Sequence, residues 1–135
     1  MKLNGLKPQM MVAYLGVGKE SFRHWREDFD PNPHRSFFGS SDLFTYQLIK
    51  LLIREQGIPP RLLKKCGFQS LFDYFHQHNT LDTIKDSLLQ VDTDACTVNV
   101  LSSSSSRLCF GFSIHTVPLS QVIDEHRRSL ETFGN

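Results

Sequence analysis

The chain has 135 residues, 39% hydrophobic and 21% charged, which supports one modest core and at most one small appendage. No apolar run approaches the roughly 20 residues of a membrane helix, and the opening MKLNGLKP has no signal-peptide apolar block, so a cytoplasmic chain without membrane contact is expected. The net charge of +1 conceals a division: residues 1–65 hold eleven Lys or Arg against six Asp or Glu, and residues 66–135 hold four against eight, so only the first half suits a polyanion.

Pro8 fits the first turn of a helix, and Met11, Val12 and Leu15 share a face before Gly16 breaks the run. After Gly16-Val17-Gly18 a second helix, around residues 18–28, places Phe22, Trp25 and Phe29 on one side at about 100° per residue. Those aromatics belong in a core, which leaves a polar face outside. Asp30-Pro31-Asn32-Pro33-His34 must turn, because two prolines remove amide donors and disfavour helix before them. Residues 34–38 read as a short extended piece, and a serine of Gly39-Ser40-Ser41 as the N-cap of a helix from Asp42 to Gln56. That helix is so rich in Leu, Ile and Tyr that it needs cover on more than one side.

Gly57 stops it, and Pro59-Pro60 opens a short helix over Arg61–Lys65. Phe68, Leu71, Phe72 and Phe75 mark an amphipathic helix to about His76, and Leu81, Ile84, Leu88 and Leu89 mark a weaker one. Around Ser102–Ser106, the runs Cys96–Leu101 and Leu108–Ile114 are rich in β-branched and aromatic residues, which predicts a hairpin with a serine tip. A helix over Pro118–Phe133, with Leu119, Val122, Ile123, Leu130 and Phe133 on one side, completes a mainly α chain with a small β element.

The order Leu15-Gly16-Val17, Phe22-Arg23, Trp25, Asp42-Leu43, Arg54-Glu55, Gly57-Ile58 and Leu62-Leu63-Lys64 resembles the N-terminal domain of MerR-type transcriptional regulators over roughly residues 8–66. The resemblance implies a winged helix-turn-helix whose second helix enters the major groove. Here the wing is abbreviated to Asn32–Phe38, and no long coiled-coil helix with a ligand domain follows. Two units are therefore expected: a DNA-binding domain over 1–78 and an α+β dimerisation element over 79–135.

An α-helix fits the major groove, and its polar side chains meet base edges there. Lys19, Glu20, Arg23 and His24 are expected near bases, with Glu20 accepting from cytosine, while Ser21, Arg26, Arg35 and Ser36 are expected at phosphates. One such unit offers a small interface, so a homodimer through residues 96–133 is expected, against the alternative that these residues complete a monomeric core. The expected partner is double-stranded DNA, at the nucleoid, and the expected action is repression of transcription.

Three alternatives stand beside this reading. An excisionase-like architectural factor also uses a small winged helix. A metal or ligand sensor would draw on Cys66, His76, His78, Cys96, Cys109, His115 and His126, or on a pocket among Phe72, Phe75, Phe110 and Phe112, but the spacing gives no tetrahedral set. A module binding an acidic protein would use Lys19, Arg23 and Arg26. The three cysteines form no C-x-x-C pair and are expected to be free thiols, and neither a cofactor nor an enzymatic motif is found.

Overall fold

The computed structural model of the chain describes residues 5–78 and 84–134. Helix α1 spans Pro8–Leu15, with proline in its first turn, and ends at Gly16, where φ of 67° lets the amide turn back to the Val12 carbonyl at 2.9 Å. Only glycine adopts this left-handed conformation without penalty. A Cβ at Gly16 would meet nothing closer than Lys50 Nζ at 3.9 Å, so the penalty of a side chain is conformational. Gly16→Ala is expected to lower the unfolding free energy by about 1 kcal/mol, and Gly16→Asn by less, in urea titrations.

Helix α2, Lys19–Phe29, follows after the three residues Gly16, Val17 and Gly18 and buries Phe22, Trp25 and Phe29, the face expected from their spacing. The extended piece after the prolines is reduced to one antiparallel bridge, in which Leu6 and Phe38 exchange hydrogen bonds of 2.9 and 2.8 Å. Helix α3 covers Ser40–Lys50 and runs on through a π-helical turn over Leu51–Glu55. Its N-cap is Gly39 and not a serine: the Asp42 carboxylate, one turn in, accepts the Gly39 N–H at 3.0 Å. Every residue from Leu43 to Ile49 is buried, because α1 and two later helices, Ser70–Gln77 and Leu119–Gly134, pack around α3.

Helices α4, Pro60–Lys65, and α5, Ser70–Gln77, complete the helical part of the first half. The second half departs from expectation. Leu88 and Leu89 are not helical but lie in strand β1, Ser87–Asp92, which sits between β2, Thr97–Ser102, and β3, Ile114–Pro118. Both pairings are antiparallel, Leu89 standing opposite Val100 on one side and Val117 on the other. The expected hairpin partners therefore never pair with each other, and residues 103–113 form a loop between the two edges of the sheet.

Pro118 ends β3, and α6 runs from Leu119 to Gly134. Leu119, Val122, Ile123 and His126 are buried against the rest of the molecule, with Leu130 partly so. Leu81 and the Phe133 side chain lie outside the described residues. Since α6 packs on α1 and α3, buried apolar residues from both sides of residue 78 join in one cluster. The apolar face of α6 is thus spent on the chain's own core.

Candidate nucleic-acid interface

The loop between α2 and α3 is built around one buried carboxylate. Asp30 is 2% exposed, and its Oδ1 accepts from the Asn32 amide at 2.8 Å and from Arg35 Nη2 at 2.6 Å. Its Oδ2 accepts from the Tyr46 hydroxyl at 2.8 Å. Arg35 also reaches Asp42 Oδ2 at 2.9 Å through Nη1, so a single guanidinium ties the loop to the start of α3. Burial and the adjacent Asp30 charge push the Tyr46 phenol far above its ordinary range, and it stays a neutral donor. Arg26 Nη2 donates to the Arg35 carbonyl at 2.9 Å, and its guanidinium lies over the rings of Phe22 and Phe38.

This frame fixes α2 from beneath. Phe22 packs on Phe38 and Tyr46, and Trp25 is 3% exposed, with the Arg54 guanidinium 5.8 Å from its ring centroid. The π turn carries Arg54 to this position, where Nη2 donates to Ser21 Oγ at 3.1 Å. Lys50 Nζ donates to the Leu15 carbonyl at 2.6 Å, which braces the α1–α2 turn from the side of α3.

On the opposite side of α2, Lys19, Glu20, Arg23, His24 and Glu27 are exposed. Glu20 Oε2 accepts from Arg23 Nη2 at 2.5 Å and lies 4.0 Å from His24 Nε2, so three of the expected base contacts form one surface cluster. Exposed pairs of this kind contribute little to stability and give way readily to a better partner. A groove beside them is lined by Phe22, Arg23, Arg26, Glu27, Pro33 and His34.

The structure divides the eight expected contacts. Lys19, Glu20, Arg23, His24 and Ser36 are exposed. Ser21 is half-buried and engaged by Arg54. Arg26 and Arg35, expected at phosphates, are engaged within the protein: the Arg35 side chain is 17% exposed and held by two carboxylates, while the half-buried Arg26 lies over two neighbouring aromatic rings and donates to the Arg35 carbonyl. Charge suggested a phosphate contact, but the Arg26 guanidinium stacks over Phe22 and Phe38 and donates to a backbone carbonyl.

Comparison of the chain with family models, curated proteins and solved structures finds no match. The site's own geometry must therefore carry the functional reading. Asp30, Tyr46 and Arg54, which sequence reasoning left out of the site, turn out to hold it in shape. Phe110 and Phe112 do not share a pocket with Phe72 and Phe75; they stand 91% and 109% exposed on the 103–113 loop, which Gln90 anchors through both the N–H and the C=O of Cys109. Among the described residues no three His, Cys, Asp or Glu converge on a common point, and no helix is long and apolar enough to cross a membrane.

Proposed function

We propose that the chain is a sequence-specific double-stranded DNA-binding regulator of transcription, with α2 lying in the major groove. One observation carries this reading: α2 is clamped by three buried aromatics behind a left-handed glycine turn, while Lys19, Glu20, Arg23 and His24 stand together on its outer face. A rigid helix with a polar outer edge is what groove reading requires. The excess of basic residues in the first half and the MerR-like order of its motifs support the same reading.

On docking, Arg23 exchanges Glu20 for the paired acceptors of a guanine, and the released Glu20 carboxylate accepts from a cytosine amino group. Ser36 and the His34 rim of the groove approach the backbone, while Arg26 and Arg35 keep the loop in shape. In this reading residues 32–38, held at the Leu6–Phe38 bridge, serve as the abbreviated wing. The protein acts as a dimeric repressor, bound across two half-sites. Because the apolar face of α6 is internal, the second copy is received by other surfaces of the acidic half.

Arg23→Ala is expected to weaken binding to a duplex selected from a random pool roughly tenfold to a hundredfold, and to weaken random duplex far less. Fluorescence anisotropy at several salt concentrations separates the two effects. Equal loss on both duplexes would reduce Arg23 to a phosphate contact. Failure to retain any duplex at low salt, where electrostatic attraction is greatest, would end the DNA reading.

A further inference from the structure

Two of the three cysteines meet across the fold. Cys66 closes α4, its amide donating to the Leu62 and Leu63 carbonyls, and Cys96 closes the turn between β1 and β2. Their Sγ atoms are 2.9 Å apart although the residues are 30 positions apart in the chain. The turn that delivers Cys96 is itself organised: Asp92 Oδ1 accepts the amides of Asp94 and Ala95 and the Ser113 hydroxyl, and Cys96 takes a left-handed φ of 57°, the single non-glycine residue with positive φ among the described residues. Nothing in the DNA-reading surface uses these thiols.

We propose that Cys66 and Cys96 are a reversible thiol-oxidation site, forming a disulfide that joins α4 to the sheet. The oxidant class is a small-molecule disulfide such as oxidised glutathione. Cys96 is the more exposed of the two, Cys66 being 8% exposed. The Cys96 thiolate therefore attacks one glutathione sulfur, forming a mixed disulfide and expelling one glutathione thiolate. Cys66 then loses its proton to water and attacks Cys96 Sγ, expelling the second glutathione. Two protein thiols become one disulfide, and one oxidised glutathione becomes two reduced ones. Burial and the neighbouring Cys96 push the Cys66 thiol up to about 11, which makes it a poor first attacker of a solution oxidant and leaves that step to Cys96. Since α4 packs on α2, and Lys64 of α4 reaches Asp28 of α2 at 3.6 Å, the bond fastens the support of the reader helix to the acidic half.

The test uses the full chain carrying Cys109→Ser, which removes the exposed third thiol. The protein is equilibrated in glutathione buffers of graded ratio, quenched in acid, alkylated and weighed intact. The expected result is loss of both thiols together, the oxidised chain taking up no alkyl group and weighing about 2 Da less than the reduced, unalkylated chain, and a cross-linked peptide joining residues 66 and 96 that dithiothreitol releases. The native chain should reach half-oxidation in a buffer at least about tenfold more reducing than the same chain in urea, because folding holds the sulfurs together. Adding Cys66→Ala should leave one glutathionyl group on Cys96 and no internal bond. Equal midpoints in buffer and in urea, or glutathionylated chain without the cross-link, would overturn the proposal. Both readouts count thiols, so they stand whether or not the chain binds DNA.

Discussion

Asp30→Ala is expected to lower the unfolding free energy by about 3–5 kcal/mol, as seen when one partner of a buried ion pair is removed. The carboxylate is enclosed, and it satisfies the Asn32 amide, the Arg35 guanidinium and the Tyr46 hydroxyl together. Its loss strands the Tyr46 donor in the core and leaves Arg35 with Asp42 as its remaining carboxylate partner. For a domain whose whole stability is of the order of 5–15 kcal/mol, that is a large share. Tyr46→Phe removes one bond of the set and should cost about 1–2 kcal/mol. Urea titrations of both variants and of the pair give the coupling between them. A loss below about 1 kcal/mol for Asp30→Ala would mean that water readily replaces the carboxylate, and the loop would not be the rigid support described for α2.

The second large effect depends on pH. His126 is 4% exposed, its Nδ1 lies 2.6 Å from the Tyr14 hydroxyl, and that hydroxyl lies 3.2 Å from the Leu43 carbonyl. A carbonyl only accepts, so both contacts are satisfied when the Tyr14 hydroxyl donates to Leu43 and His126 Nδ1–H donates to Tyr14. This leaves Nε2 unprotonated in the neutral ring, which stands nearly perpendicular to the Phe44 ring at 6.4 Å between centroids. Burial, with a smaller contribution from Arg127, pushes His126 down to about 4 from an ordinary value of 6.5.

The unfolded chain therefore binds the proton first as pH falls, and folding is penalised between those values. Stability is unaffected by this group above about pH 6.5, falls as pH drops toward 4, and levels off below, for a total of about 3 kcal/mol. Acid unfolding includes carboxylates as well, so the informative quantity is the difference between the wild type and His126→Gln. The variant should start less stable at pH 7.5 and lose less on acidification to pH 4.5. Parallel curves would show that the histidine is protonated in the folded protein without cost.

Much of the first half is legible in the sequence because its signals are periodic. Phe22, Trp25 and Phe29, or Leu71, Phe72 and Phe75, declare a buried face by spacing alone, and the exposed edge of α2 is what remains. Strand β1 is not legible in that way. Leu88 and Leu89 continue an apparent helical stripe from Ile84, and a strand flanked on both sides shows its identity only once its neighbours are known. The two β-rich runs nearest each other in sequence invited a hairpin, whereas both of them border a third run that carried no strong β signal.

The loop frame was hidden for a different reason. The prolines at 31 and 33 announce a turn, yet no spacing rule says that Asp30 faces inward to collect Arg35 and Tyr46. Sequence reasoning sent Arg26 and Arg35 outward because they are charged, and the structure turns them inward because aromatic rings and carboxylates wait for them there.

The seating of α6 against α1 also bears on how the protein is made. Tyr14 and His126 touch although they are separated by 112 residues. During synthesis α1, α2 and α3 emerge long before the helix that covers Tyr14 and Phe44, and at roughly 5–20 residues per second the wait lasts several seconds. Throughout that interval the nascent helices expose an apolar seam. The final packing of that seam comes only once α6 has left the ribosome, so a product stalled before α6 would be a substrate for chaperones.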